Sequence, residues 1–398
     1  MKLSEKASGI CPSKTMSLAA MTRKMKQEGV PIIDFGAGEP DFDTPKHIKD
    51  AAKEALDNNF TKYTSSAGTE ELRSAIADKL KNDNDLNYSY NEIVVSNGSK
   101  HALFNAFLAI LEYGDEVIIP APYWLSYTEM VSIAGGIPVI AYTNVMTGYK
   151  VTEEILKKHL SEKTKAIVIN SPNNPTGMVY TKDELEKIAD FAVKNDIYVI
   201  SDEVYEKLIY SGKMKHISIA SLNNEIKKRT IVVNGLSKSY AMTGWRVGYT
   251  ASDITIASAI SNIQSHTTSN INSIAMKAAY AALKGDQSCV EDMLNEFKHR
   301  RDYIYQRVSD IPYLSCLIPK GAFYLFIDIS KLCGQSIDGK KIKDGADVAQ
   351  VLLDKYNVAV VPGESFGYDD HIRISFAVGM EDIVEGIDRV ENFVKDNF

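Results

Sequence analysis

Several features common in proteins of this size are missing from the 398-residue chain, and each absence removes a class of function. Only four cysteines occur, Cys11, Cys289, Cys316 and Cys333, and none form a C-x-x-C pair. Thiols scattered in this way are expected to be reduced structural residues of a cytosolic protein. The seven histidines show no H-E-x-x-H or other ligand spacing, so no metal is expected. Neither a G-x-G-x-x-G nor a G-x-x-x-x-G-K-[ST] loop is present, which removes the usual dinucleotide and nucleoside-triphosphate readings. Long apolar runs are absent too: the longest, within Ala102 to Leu111, contains Asn105 and is too short to cross a membrane. The start, Met1 to Lys6, has no apolar stretch behind a basic residue, so no signal peptide is expected and the expected location is the cytoplasm. Nor is there an excess of basic residues. With 45 Lys and Arg against 52 Asp and Glu the net charge is −7, which favours solubility and argues against non-specific nucleic-acid binding.

What remains is the composition of an ordinary soluble protein, 44% hydrophobic and 24% charged, long enough to divide into two domains. The chain opens with a helical pattern from Met16 to Glu28 and a short strand from Ile32 to Phe35. A turn-rich stretch from Gly36 to Pro45 precedes the helix His47 to Leu56. From residue 92 a strand–loop–helix unit recurs. Apolar runs at Ile93–Val95, Val117–Ile119, Ala166–Ile169, Ile197–Ile200 and Thr230–Val233 are each followed by a loop of unusual composition. Strands alternating with helical patterns predict a mostly parallel sheet covered on both faces. In such a sheet, loops that follow strands gather along one edge, where ligands bind. From about Asp286 a long charged helix opens a different region, with strands expected at Ala322–Ile327, Val358–Val361 and Ile372–Ser375 and a surface loop at Gly334–Gly345. The expected organisation is a large domain over 44–285 and a smaller α/β domain made of 1–43 and 286–398.

The stretch Asn234 to Tyr249, NGLSKSYAMTGWRVGY, carries the densest chemistry. Lys238 falls in the loop past an apolar strand, among small and apolar residues. Such surroundings disfavour an ammonium and make the amine a nucleophile towards carbonyls. Arg246 lies within a second apolar run and needs an anionic partner, either a carboxylate of the protein or a ligand phosphate. Asp202, at the end of another strand, is a costly buried charge unless paired, or else a helix N-cap. Gly98-Ser99-Lys100 stands before a helix whose first N–H groups form a ready anion site. Arg373, among strand-forming residues, suits a carboxylate held by two parallel bonds.

The pattern S-K-x-x-x-M-T-G-W-R-x-G-Y resembles the Schiff-base lysine segment of class I pyridoxal-phosphate aminotransferases, the aspartate aminotransferase family, and the likeness extends in order from Gly38 to Arg373. The resemblance implies pyridoxal-phosphate-dependent transferase fold type I, an α/β fold with a seven-stranded sheet, pyridoxal 5′-phosphate as cofactor, amino acids and 2-oxo acids as substrates, and a homodimer with shared active sites. It assigns catalysis to Lys238, Asp202 and Tyr205. The cofactor would be held by Gly98, Ser99, Lys100, Trp124, Asn174, Asp202, Tyr205, Lys238 and Arg246, with Tyr63 reaching the neighbouring subunit's phosphate. The substrate would meet Gly38, Lys100, Trp124, Asn174 and Arg373. Two departures stand out. Many relatives carry a hydroxyl residue three before the lysine, where this chain has Gly235. One branch uses an arginine from the partner subunit for the distal carboxylate; that site falls near Gln264, and Lys100 matches the lysine of the bacterial branch instead. The implied reaction is amino transfer between L-aspartate and 2-oxoglutarate. Alternatives are a prephenate or aromatic aminotransferase, a C–S lyase on the same cofactor and, remotely, a non-enzymatic regulator of aminotransferase-like fold.

Overall fold

The computed structural model describes residues 4, 8–10, 14–210, 212 and 215–398. Cys11 lies outside the described residues, and Cys289, Cys316 and Cys333 are free thiols. After a helix over Lys14–Gln27 comes the short strand β1 (Ile33–Asp34). The main sheet then takes β2 (Ile93–Asn97), β3 (Glu116–Ala121), β4 (Ile137–Tyr142), β5 (Thr164–Asn170), β6 (Tyr198–Asp202), β7 (Thr230–Gly235) and β8 (Val247–Ala251). Their order is β2-β8-β7-β6-β5-β3-β4. Every pairing is parallel except those of β8, which runs antiparallel to both β2 and β7.

The apolar runs explain this layer. Val117 to Ile119, Ala166 to Ile169 and Ile231 to Val233 are all buried, as strands covered on both faces must be, so the sequence shows continuous runs rather than alternation. Local signals set the helix ends. Thr181 and Glu184 form a reciprocal capping box at the start of Lys182–Lys194. Asp85 and Asn357 close the helices Glu70–Asn84 and Gly345–Tyr356 in the left-handed conformation.

A second core lies beyond the long helix Ser288–Ser309. It contains β9 (Ser315–Cys316), β10 (Tyr324–Asp328), β11 (Ser336–Ile337), β12 (Lys340–Lys341), β13 (Val358–Ala359), β14 (Val361–Pro362) and β15 (His371–Ser375). Four of these form an antiparallel sheet in the order β14-β15-β10-β9, and β1 pairs in parallel with β13. Phe35, Phe297, Phe323 and Phe376 meet in this core together with Tyr205, Leu208 and Tyr210, which follow β6. The chain after β6 thus passes from one core to the other, and the cleft between them opens at the carboxyl ends of the parallel strands.

The stretch expected as a surface loop, Gly334–Gly345, is a hairpin instead. Asp338 and Gly339 turn it with positive φ of 47° and 77°, the Asp-Gly turn that suits two-residue hairpins. Ile337 and Ile342 are buried in the second core, and their apolar side chains fix a segment whose overall composition is hydrophilic.

Candidate active site

A cavity of about 840 Å³ lies at this edge of the sheet. Strand direction brings its residues together. Asp202 and Asn170 are the last residues of β6 and β5, Ser99 and Lys100 follow β2, Trp124 follows β3, and Lys238 follows β7. Arg246 comes just before β8, and because β8 runs antiparallel its beginning meets the ends of its neighbours. The second core contributes Arg373 from β15 and Tyr324 from β10, and the loop after β1 contributes Gly38.

The Lys238 ammonium donates to the Gly38 carbonyl and stands 5.8 Å from the Phe323 ring centre. Burial pushes its pKa down to about 8; Glu39 opposes the fall, while Arg246 and Arg373 add to it. The amine can therefore lose its proton near neutral pH. Asp202 is 4% exposed, and burial raises its carboxyl to about 6 against the pull of its hydrogen bonds. Those bonds come from Tyr127 Oη at 2.6 Å and the Val204 N–H at 3.3 Å. Tyr127 is itself buried, and its ring meets Trp124 edge-on with centroids 5.4 Å apart. The N-cap alternative for Asp202 does not apply, since a turn follows β6 rather than a helix.

Arg246 is held by two carbonyls, Thr243 O at 2.9 Å and Asn97 O at 3.3 Å, and among the described residues it enters no ion pair. Its guanidinium lies against Gly98, where a Cβ would come 2.3 Å from Nη2. Gly98 also has φ 83° and starts the helix Ser99–Ile110 without a side-chain cap. The first-turn N–H groups of that helix and an unpaired guanidinium thus share one place, which is the physical description of an anion cradle. Gly235 accounts for its own departure from the family pattern. A Cβ there would fall 2.4 Å from Ser99 Oγ, and that hydroxyl donates to the Asn234 carbonyl at 3.0 Å. Ser99 occupies the space that a side chain at 235 would need.

Arg373 is 3% exposed. It donates to Asn174 Oδ1 at 3.2 Å and to the Gly36 carbonyl at 2.9 Å, lies 4.4 Å from the Tyr324 ring centre, and keeps a buried Nε without a partner. No carboxylate pairs with it among the described residues, so a buried cation faces the cavity with donor capacity to spare. Tyr205 Oη meets Tyr324 Oη at 2.9 Å. Lys100 stands 4.9 Å from the Trp124 ring centre, and burial followed by Arg246 lowers its pKa.

Of the expected site residues, Gly98 and Tyr63 are not among those that line the cavity, and neither is Gln264, which stands where the other branch has its arginine. Tyr63 is 90% exposed. Gln264 is fully buried and saturated: its oxygen accepts from Ser96 at 2.6 Å and Asn105 at 3.1 Å, and its nitrogen donates to the Ser66 and Val95 carbonyls. Sequence reasoning missed Tyr127, Asn170 and Tyr324. Tyr127 stands in the first turn of the helix Ser126–Ile133, and nothing in its local sequence marks it as the partner of Asp202.

A family model described as aminotransferase class I and II matches residues 30–390. The chain belongs to the class I and II aminotransferases. Among curated relatives, this aminotransferase is 47% identical over 393 residues to the aspartate aminotransferase of Bacillus sp. (strain YM-2), with 99% of each chain covered. It is 43% identical to the aspartate/prephenate aminotransferase of Nitrosomonas europaea, over 99% of this chain and 100% of that one. Among solved structures, the aspartate aminotransferase from Rhizobium meliloti superposes with a TM-score of 0.95 at 38% identity, covering 100% of this chain and 99% of the other. The fold expected from the sequence, a mostly parallel α/β architecture of the aminotransferase type, is the fold observed.

Proposed function

We propose that the protein transfers an amino group between L-aspartate and 2-oxoglutarate, using pyridoxal 5′-phosphate bound in the 840 Å³ cavity. The observation that carries this reading is the placement of Lys238, an amine with its pKa pushed down to about 8, in one cavity with buried Asp202 and the carboxylate-free cations Arg246 and Arg373. The residues fit a phosphorylated pyridine aldehyde. A phosphate suits the cradle of Gly98, Ser99, Lys100 and Arg246, where a Cβ on Gly98 would close the space. Asp202 suits a ring nitrogen that carries a proton, Tyr205 and Asn174 suit the ring's phenolic oxygen, and Trp124 suits a flat aromatic face. The bound cofactor supplies a carbonyl that condenses with amines and a ring that takes up electrons from the substrate.

The chain's own groups do the rest. Lys238 would hold the cofactor and, once displaced by the substrate amine, would take the proton from the substrate Cα as general base and deliver it as general acid to the cofactor carbon that receives the amino group. Asp202, whose ionised form the Tyr127 hydrogen bond favours, would hold a proton on the ring nitrogen. Arg373 and the backbone at Gly38 fix the α-carboxylate and so orient the Cα–H bond. Lys100 reads the distal carboxylate. The exposure of Tyr63, 90% in the single chain, suits a residue that serves a second copy, and supports the homodimer with shared sites. The pairing of β1 with β13 supports the division into 44–285 and 1–43 with 286–398.

A second reading, amino transfer to prephenate, is favoured by the Nitrosomonas relative, whose activity includes that substrate. One experiment addresses both. Purified protein with cofactor is given aspartate, glutamate or phenylalanine as donor and 2-oxoglutarate, oxaloacetate or prephenate as acceptor, while the cofactor's absorbance is followed. Borohydride reduction then identifies the lysine that holds the cofactor. Rapid turnover of aspartate with 2-oxoglutarate and a tag on Lys238 are expected. A tag on another lysine, or turnover confined to prephenate or aromatic substrates, would overturn the assignment.

A further inference from the structure

The amino-terminal helix Lys14–Gln27 turns a polar stripe towards the cavity. Ala19, Thr22, Arg23, Lys26 and Gln27 line it, at the i, i+3, i+4, i+7, i+8 spacing of one helix face. A face that only sealed a core would be apolar. Thr22 is the anchor: it is 1% exposed and donates to Asp34 Oδ2 at 2.9 Å, while Asp34 Oδ1 accepts from the Gly36 N–H at 2.9 Å. The helix is thereby tied to the loop that carries Gly38, and Arg23 and Lys26 are presented to the opening. Neither has a carboxylate partner among the described residues. Lys24, outside the stripe, reaches Glu28 at 3.7 Å. The helix dipole favours a cation in the last turn and accounts for Lys26 in part; it does not account for Arg23, which is exposed at the cavity mouth and enters no ion pair among the described residues.

Charge separates this cavity from the rest of the molecule. Its lining holds Arg23, Lys26, Lys100, Lys238, Arg246 and Arg373 against Asp34, Glu39 and Asp202, in a chain of net charge −7. A concave cationic site in an acidic protein focuses its field on the mouth and raises the local concentration of anions.

We propose that Arg23 and Lys26 form an outer cationic wall that draws in and selects dianionic 2-oxo acids, in addition to the groups that hold the substrate inside. This rests on the aminotransferase reading above. The two halves of that reaction differ in what the wall feels. A dicarboxylic amino acid carries an ammonium and one net negative charge, whereas the corresponding 2-oxo acid carries two. The wall therefore favours the oxo-acid half-reaction.

The test compares the double variant R23Q/K26Q with K24Q, which also removes a charge from this helix but lies off the stripe. At roughly 0.01 M salt the double variant should lose about fivefold to tenfold in kcat/KM for 2-oxoglutarate and about twofold to threefold for aspartate, from charges acting over roughly 10 Å. Both losses should nearly vanish at about 1 M salt, where screening acts within about 3 Å. K24Q should behave as the parent protein. The same comparison on equilibrium binding of glutarate, a dianion that cannot react, reads the wall without turnover. A double variant indistinguishable from K24Q in glutarate binding overturns the proposal, as does an equal and salt-independent loss for both substrates. A parent protein that binds glutarate in a salt-dependent, Arg23-dependent way but does not turn over 2-oxoglutarate would leave the wall standing and sink the assigned reaction.

Discussion

Tyr127 and Asp202 show how a single contact sets the chemistry of a residue. Burial alone drives the Asp202 carboxyl upward, and the 2.6 Å bond from Tyr127 opposes that drive. A hydrogen bond to a charged group is worth about 1.5–3 kcal/mol, or roughly one to two pKa units. Tyr127→Phe should therefore raise the Asp202 pKa from about 6 towards or above neutrality. The sign follows: a carboxylate needed in its ionised form is lost as pH falls, so the acid limb of the kcat/KM profile should move to higher pH by about one unit or more. An unmoved acid limb would mean that Tyr127 only fills space. Lys100 gives the second test at this scale. Lys100→Ala should lower kcat/KM for aspartate and glutamate about tenfold to a hundredfold and spare phenylalanine, since only the former carry a distal carboxylate. Measured on one preparation, a parallel fall for all three would assign Lys100 to the cofactor or the fold. Lys238, Arg246 and Arg373 were legible in the sequence because cations amid apolar residues are anomalous. Tyr127 was not, because nothing in its neighbours marks a tyrosine as the partner of an acid 75 residues away.

At the scale of elements, the site depends on how the end of β7 meets the start of the helix Ser99–Ile110. Gly235 and Ser99 share one small volume across 136 positions of sequence. Gly235→Ala places a methyl 2.4 Å from Ser99 Oγ and 3.0 Å from the Val247 carbonyl, so the Ser99 hydroxyl, at the helix start, must give way. Overpacking of this kind costs about 1–3 kcal/mol, and it should weaken cofactor retention because Ser99 belongs to the proposed anion cradle. The double variant Gly235→Ala with Ser99→Gly should recover much of the thermal stability. Additive losses in Tm would show that the two positions do not compete. The antiparallel entry of β8 was equally invisible beforehand: an apolar run reads the same in either direction, and only pairing with β2 and β7 reveals which end carries Arg246 to the site.

At the scale of the molecule, the chain behind β6 is held by buried charge. Glu206, 8% exposed, pairs with Lys79 and accepts from Asn84 at 2.7 Å, fastening the helix Glu70–Asn84 to the segment that carries Asp202 and Tyr205. Burial would raise the Glu206 carboxyl, yet Lys79, His216 and Asn84 bring it down to about 2. A folded pKa below the unfolded value of about 4.3 contributes stability above the latter, and that contribution fades as pH falls towards the former. Lys79→Met strands the carboxylate and should destabilise the protein by about 3–5 kcal/mol at neutral pH. The gap between variant and parent should narrow as Glu206 protonates on acidification, which urea unfolding at pH 7 and near pH 4 would detect. A gap independent of pH would place the loss in packing rather than charge.

The sequence by itself marked the residues proposed to carry the chemistry and determined that their loops lie at one edge of a mostly parallel sheet. Continuous apolar runs, turn formers after them and capping residues such as Thr181 and Asp344 are local signals, and local signals survive in a linear string. It also held the family pattern in order from Gly38 to Arg373. Only the tertiary structure decided the pairing of Tyr127 with Asp202, the exchange of volume between Gly235 and Ser99, the burial of Gln264 as a structural hub and the placement of Arg23 and Lys26 along the cavity. Each depends on which distant surface a side chain meets. Periodicity gives the face of an element on which a residue lies, but packing between elements selects what that face touches.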